Sequence, residues 1–140
     1  MTMGDRAIYI TEYDLERLTK LIEELDYSDS QDKDYLAGLQ EELDHAIIVA
    51  SSDIPKNVIT MNSQVCLLDR ETQKEERLTL VFPQDADISK GKISVLAPIG
   101  TAMLGYRVGE VFRWKVPAGE RILEIEKILY QPEAAGDYHL

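Results

Sequence analysis

The chain has 140 residues, of which 26 are acidic and 15 basic, and its formal net charge is −11. This length suits one ordinary domain with an appendage and disfavours two full domains. The acidic balance disfavours direct binding of nucleic acid, because a net-acidic surface repels phosphate groups.

The sequence also points to a cellular compartment. The single cysteine, Cys66, excludes an internal disulfide framework and fits a reducing environment. The sequence shows neither an 18-residue apolar run nor a basic-then-apolar leader. We therefore expect a cytoplasmic protein without a membrane partner.

The acidic residues are concentrated in the first third of the chain. Residues 1–53 contain 14 acidic and 4 basic residues, whereas residues 54–140 contain 12 and 11. Such an acidic segment favours a basic protein surface or channel as its partner, although a solvated helical arm would have the same composition. The composition leaves both interpretations open.

The first helix is predicted to begin near Thr11. Thr11 and Asp14 have the spacing of a capping box, and Ile10 can pack on Leu15 as a hydrophobic staple. Apolar residues then follow a 3-4-3 spacing that places them on one helical face: Leu15, Leu18, Ile22 and Leu25.

A second helix is predicted to begin near Asp32. It carries an apolar stripe of its own on the same spacing: Leu36, Leu39, Leu43, Ala46 and Ala50. Because the polar link at residues 27–31 is short, the two stripes predict an antiparallel helical hairpin of the coiled-coil type. Each arm of about 15 residues would be roughly 22 Å long.

Cap-type residues and a proline interrupt the helical pattern at residues 51–55. We place the domain boundary there, between an acidic helical hairpin, 1–53, and a globular domain, 54–140. Beyond this point the apolar period changes to 2. Segments rich in β-branched and large apolar residues predict strands at residues 64–69, 77–82, 93–96, 110–116 and 122–130.

One predicted strand indicates how the sheet is oriented. Phe112, Trp114 and Val116 alternate with Arg113 and Lys115. This alternation is typical of an antiparallel sheet with one solvated face, and it directs the two aromatic side chains to the core.

The most informative stretch is the run from Ile93 to Gly109, which reads I-S-V-L-A-P-I-G-T-A-M-L-G-Y-R-V-G. It orders a strand, a proline break, a short apolar turn at residues 102–104 and two glycine stops. Pro98 ends the strand because it has no backbone donor, and Gly105 stops the helical turn.

This run resembles the carboxy-terminal domain of the Gre family of bacterial transcript-cleavage factors. The matching positions are Pro98, Ile99, residues 102–105 and residues 108–110, and the similarity extends through segments 58–63, 116–120 and 130–138. It covers roughly residues 55–140, and the chain is similar to a short-armed member of the family. The resemblance implies an α+β protein: a short antiparallel hairpin followed by a small FKBP-like antiparallel β domain.

The resemblance also implies a docking loop. In the Gre factors, the loop that corresponds to Leu96, Ala97, Pro98, Ile99 and Gly100 docks on a coiled coil at the rim of the RNA polymerase secondary channel. A proline-stiffened loop with apolar tips suits such a contact. The alternative is that Leu96 and Ile99 only complete the core.

The hairpin tip of the Gre factors presents acidic residues that help to hold a catalytic magnesium ion. The acids near the tip in this chain are Asp26, Asp29, Asp32 and Asp34. The predicted arms are about half the length that the cleavage factors use, and no family-type acidic pair aligns with the link. We expect these acids to cap helix ends and to solvate the loop, with a contact to a partner as the alternative.

Other chemistry is disfavoured by the residues present. His45 and His139 have no partner at metal-ligand or base-nucleophile spacing, and Cys66 lies within a strand as a small packing residue. No phosphate-binding, dinucleotide or zinc motif is present. We therefore expect neither a cofactor nor a metal.

The resemblance implies a transcription regulator that binds RNA polymerase and competes with Gre factors, and we expect it to be non-enzymatic and monomeric. Two alternatives remain. One is a prolyl isomerase or chaperone-like domain of the FKBP type, which would need a deep aromatic-lined cavity. The other is an acidic arm that binds a different basic protein.

Overall fold

The computed structural model describes residues 8–27, 33–116, 119–138 and 140. The first elements are β1 Tyr9–Thr11, α1 Glu12–Tyr27, α2 Lys33–Asp44 and β2 Ile47–Val49. The later elements are β3 Gln64–Asp69, β4 Glu75–Val81, β5 Lys92–Ser94, α3 Pro98–Met103, β6 Val111–Val116, β7 Gly119–Tyr130 and α4 Pro132–Ala135. The fold is α+β, as predicted. Among the described helices, none is long and apolar enough to cross a bilayer.

Helix α1 begins where its capping residue predicts. The Asp14 amide donates a 3.0 Å hydrogen bond to Oγ1 of Thr11, which satisfies one of the free donors of the first turn. The predicted apolar stripe is confirmed, because its members are buried or pack against the core: Leu15, Leu18, Ile22 and Leu25.

Helix α2 is shorter than predicted, and the prediction that it continues through Ala46 to Ala50 is wrong. The helix ends at Asp44, and β2 pairs with β1 in parallel, with Ile10 opposite Ile48. The physical reason is local, since three consecutive β-branched residues favour an extended backbone and β1 offers an edge to pair with. The remaining stripe residues, Leu36, Leu39 and Leu43, are buried as predicted.

The second sheet has the strand order β5-β4-β3-β7-β6. The predicted strand at 64–69 is confirmed, and the other four are found with shifted ends. The expectation of a fully antiparallel sheet is wrong at one edge, because β5 pairs with β4 in parallel. The connection at residues 82–91 contains two 3-10 turns, Pro83–Asp85 and Ile88–Lys90. It carries the chain back along β4, so that β5 can run in the same direction as β4.

Both halves of the chain contribute to one hydrophobic core. Leu18 and Leu39 from the helices belong to the same buried cluster as Met61 and Leu67 from the globular half. Phe112 is also buried there, as predicted, with its ring edge-on to Tyr106 at a centroid distance of 6.0 Å. The side chains of Trp114 and Val116 lie outside the described part of the structure.

A buried carboxylate connects the two halves. Asp14 is 1% exposed, and its Oδ2 accepts a 3.0 Å hydrogen bond from the amide of Met61. Its other oxygen pairs with Arg17, whose guanidinium lies 3.9 Å from the ring centroid of Tyr13 and 4.8 Å from that of Phe82. Burial raises the pKa of Asp14 to about 6, although the Met61 and Arg17 contacts oppose that rise.

Replacing Asp14 by Asn should flatten the pH dependence of folding. Because the folded-state pKa of about 6 exceeds the ordinary 3.8, the folded chain holds this proton more tightly than the unfolded chain. The resulting stability is fully present below about pH 4 and is lost as the pH rises through about 6, up to about 3 kcal/mol. The Asn side chain keeps an acceptor for the Met61 amide but cannot ionise.

Urea unfolding of both proteins at about pH 5 and pH 8 measures this difference. The matched control is Glu16→Gln, which removes an exposed carboxylate from the same helix and should leave the pH slope of the parent unchanged. An Asp14→Asn variant with the parent's pH slope would contradict the assignment.

Two glycines should respond in opposite directions to substitution by Ala. A Cβ at Gly100 would lie 2.1 Å from the Ser94 carbonyl oxygen, so Gly100→Ala forces the backbone apart and should cost about 3 kcal/mol of unfolding free energy. A Cβ at Gly38 in α2 would meet nothing within 4 Å, so Gly38→Ala should stabilise by about 0.5–1 kcal/mol. Denaturant midpoints of the two variants test both signs, and a tolerated Gly100→Ala would refute the close packing.

Candidate functional site

The predicted docking loop, residues 96–100, is here called the Pro98 loop. It leaves β5 and enters α3, whose first residue is Pro98. Proline is favoured at this helix position because its missing N–H would have no intrahelical partner there. Ala97 precedes it in an extended conformation, with φ −65° and ψ 142°.

Hydrogen bonds fix the backbone of the Pro98 loop. The Ala97 amide donates to the Ser94 carbonyl at 3.0 Å, and the Thr101 amide donates to the Ala97 carbonyl at 2.9 Å. The Thr101 hydroxyl adds a 2.6 Å bond to the Val95 carbonyl. A loop held in this way loses little conformational entropy when a partner binds it.

The exposed part of the Pro98 loop is smaller than the sequence suggested. Leu96 is 8% exposed and belongs to the core, and Gly100 is buried against the Ser94 carbonyl. Ala97 and Ile99 are half-buried, and Ile99 also packs against the core. The side chain of Pro98 lies outside the described part. Among the described side chains of the loop, Ala97 and Ile99 are therefore the ones that a partner can touch.

The Pro98 loop lies beside the base of the helical arm. Helix α3 contacts α2, and a Cβ added to Gly105 just after α3 would lie 2.6 Å from the Ile8 side chain. Gly105 has φ +79°, a conformation that glycine adopts without strain. A partner on the loop would therefore also lie close to the start of the arm.

The described surface of the arm is acidic. Its exposed carboxylates are Glu12, Glu16, Glu23, Glu24, Glu41 and Asp44. Neither α1 nor α2 has a basic residue in its last turn, so the negative ends of both helix dipoles add to this field. Such a surface attracts a basic partner.

The structure does not place the predicted tip acids. Asp29 and Asp32 lie outside the described residues, and Asp26 is described only as a backbone position in the last turn of α1. Their role as tip contacts stays a prediction.

Sequence reasoning missed the junction formed by Asp14 and Arg17. An acidic residue in the first helical turn is normally exposed to solvent, where it interacts favourably with the positive end of the helix dipole. Nothing in the local sequence pattern predicts that Asp14 is buried. Arg17 Nη2 also donates to the Leu140 carbonyl at 2.8 Å, and Asn62 Nδ2 donates to the same oxygen at 2.7 Å. Leu140 thus meets both halves of the protein.

Two described grooves differ from the cavity expected of a prolyl isomerase. Two open grooves of about 380 and 350 Å³ are present. The first is lined by charged and polar residues with Phe82 as its aromatic side chain, and the second mainly by aliphatic residues beside Tyr130. Neither groove resembles a deep aromatic-lined cavity.

Two regions of the chain match known protein families. The family described as "Transcription elongation factor, GreA/GreB, C-term" matches residues 54–130, and "Rnk N-terminus" matches residues 6–49. The chain is 38% identical to the "Regulator of nucleoside diphosphate kinase" of Escherichia coli K12 over 99% of this chain and all of that protein.

Two further relatives extend the similarity to elongation factors. The chain is 36% identical to the transcription elongation factor GreA of Thermodesulfovibrio yellowstonii over 66% of its own length, and spans 59% of that protein. A solved structure of a transcription elongation factor GreA/GreB from Nitrosomonas europaea superposes with a TM-score of 0.75 and 36% identity, covering 89% of this chain and 99% of that chain. The chain therefore belongs to the GreA/GreB family of transcription elongation factors, whose carboxy-terminal domain forms its globular half.

Proposed function

We propose that this chain is a non-catalytic transcription regulator that binds RNA polymerase near its secondary channel as a monomer. The globular half docks through the Pro98 loop, and the acidic arm points toward a basic channel entrance. Occupying that entrance excludes the longer Gre factors without stimulating transcript cleavage. The observation that carries this proposal is the shortness of the arm.

The arm is short in absolute terms. Helix α1 has 16 residues and α2 has 12, so they extend roughly 24 Å and 18 Å at 1.5 Å per residue. A short arm supports occupancy of an entrance without delivery of acidic groups to a distant active site.

The small sheet at the base of the two helices supports an antiparallel arrangement. Helix α1 begins directly after β1 and α2 ends just before β2, while β1 and β2 lie side by side in parallel. This pairing brings the start of α1 close to the end of α2. We infer that the helices run antiparallel. We also infer that the boundary between hairpin and globular domain lies between residues 53 and 54, where the helical pattern is interrupted. The match of residues 54–130 to the GreA/GreB carboxy-terminal family supports an FKBP-like globular domain.

Electrostatics supports a basic partner for the arm. The exposed carboxylates of α1 and α2 form a field that is screened over about 10 Å at 0.1 M salt. Association with a basic channel entrance should therefore be fast at low ionic strength and should weaken as salt is added.

We extend the proposal to regulation of nucleoside diphosphate kinase, the activity named for the E. coli relative. A polymerase-binding regulator could act on that enzyme through transcription of its gene. Direct contact with the kinase is the alternative route, and binding of the purified kinase separates the two.

The central test is competition on purified core RNA polymerase. We expect the chain to bind, a Gre cleavage factor to displace it, and backtracked complexes to show no added transcript cleavage. Absence of binding at tens of micromolar would overturn the polymerase proposal. Binding accompanied by stimulated cleavage would instead overturn the non-catalytic assignment.

The Pro98 loop can be tested separately. A Pro98→Ala/Ile99→Ala double variant removes the ring and the larger apolar side chain of the loop, so its affinity for polymerase should fall by at least about tenfold. The matched control is Ile88→Ala, which removes an isoleucine that is 84% exposed on the 3-10 turn before β5. Circular dichroism confirms that both variants fold, and equal affinities of the two would remove the loop from the interface.

A further inference from the structure

Cys66 occupies the centre of the second sheet. It lies on β3, opposite Arg77 of β4 and Lys127 of β7. Its side chain is on the face that also carries charged residues, yet the residue is only 1% exposed. A thiol at such a position is covered by its neighbours on the adjoining strands.

A β-bulge brings a second strand's carboxylate to this thiol. Along the β3–β7 pairing, Cys66 faces Lys127 and Leu67 faces Ile125, which leaves Glu126 as the extra residue. A bulge redirects side chains at the point where the register shifts. Oε1 of Glu126 consequently lies 3.9 Å from the Cys66 sulfur.

Strand β4 supplies the other carboxylate. Oε2 of Glu75 lies 3.5 Å from the Cys66 sulfur. The sulfur and the two carboxylate oxygens all lie within 4.8 Å of one another. Three different strands therefore direct one soft and two hard donor atoms to a common point.

The two separations that involve the Cys66 sulfur are close to the edges of a tetrahedral zinc site. With Zn–S distances near 2.3 Å and Zn–O distances near 2.0–2.2 Å, tetrahedral angles place sulfur and oxygen about 3.5 Å apart. The Cys66–Glu75 contact already has that length, and the Cys66–Glu126 contact exceeds it by a few tenths of an ångström. Small rotations of two glutamate side chains would complete the geometry.

The charges at the cluster also favour a cation. The carboxylates of Glu75 and Glu126 lie within 4.8 Å of each other beside the Cys66 sulfur. Burial, and then the neighbouring Glu75, raise the pKa of Glu126, and burial raises the pKa of the Cys66 thiol. Lys127 opposes both shifts from one side. A divalent ion between the donors would convert this repulsion into attraction.

We propose that Cys66, Glu75 and Glu126 form a zinc-binding site with a water molecule in the fourth position. On binding, the Cys66 thiol releases its proton to solvent and a Zn–S bond forms, while the three protein donors displace water from the hydrated ion. The site links β3, β4 and β7 across the sheet. It is independent of the proposed docking on polymerase, because the Pro98 loop contributes no ligand.

Titration of the untagged, reduced, metal-free protein tests the site directly. Cobalt chloride should give a near-ultraviolet sulfur-to-cobalt charge-transfer band at one equivalent, and zinc chloride should remove it. Calorimetry with zinc should show binding that weakens as the pH falls, because the thiol proton competes with the ion. Zinc should also raise the melting temperature.

Variants separate the site from adventitious binding. Glu75→Gln and Cys66→Ser should each weaken zinc binding by at least about tenfold, and Cys66→Ser should abolish the charge-transfer band. Because Glu75 is exposed, its variant tests the site even if Cys66→Ser fails to fold. The matched control, Glu76→Gln, changes the next residue of β4, whose carboxylate contacts Arg121, and should bind zinc like the parent. Absence of the band, or zinc binding that survives Glu75→Gln unchanged, would overturn the proposal.

Discussion

The hydrogen bond from the Met61 amide to the Asp14 carboxylate sets the relation between the arm and the globular half. It holds the first turn of α1 against the segment that leads into the central strand of the sheet. Arg17 reinforces it from the next turn, between the rings of Tyr13 and Phe82. Because a buried carboxylate tolerates few geometries, this contact restricts the direction in which the arm leaves the globular half.

The fixed direction of the arm also determines which surfaces a partner can contact together in the proposed interaction. Helix α3, which begins within the Pro98 loop, contacts α2, and Gly105 just after α3 lies close to Ile8 at the start of the arm. A partner would meet a loop and an acidic arm whose relative positions are fixed before binding. Preorganisation of this kind favours affinity, because little order has to be created on association.

Local patterns predicted much of this fold. The cap at Thr11, the leucine stripes and the strand at 64–69 all follow from short-range spacing. Strand β2 was not predicted, because Ala46 and Ala50 continue the 3.5-residue apolar period of the helix even though the residues between them are β-branched. The apolar period favours a helix there, whereas the β-branched residues favour a strand, and pairing with β1 stabilises the strand.

The grouping of Cys66 with two glutamates had no sequence signal either. Glu126 follows Ile125 in a strand that alternates regularly, so its approach to Cys66 depends on a register shift that only the pairing with β3 creates. The burial of Asp14 is similar, since its partner Met61 is 47 residues away along the chain. Long-range pairing, rather than local preference, determines both features.

The tight contact of Gly100 with the Ser94 carbonyl bears on how members of this family can diverge. Since the backbone there admits no side chain, its path is expected to stay constant while the half-buried positions beside it, Ala97 and Ile99, accept side chains of similar size. The preference for a partner would then change through substitution of a few side chains while the backbone of the loop keeps its conformation. Redirecting the proposed docking to a different partner would accordingly require altered chemistry at two positions rather than a rebuilt loop.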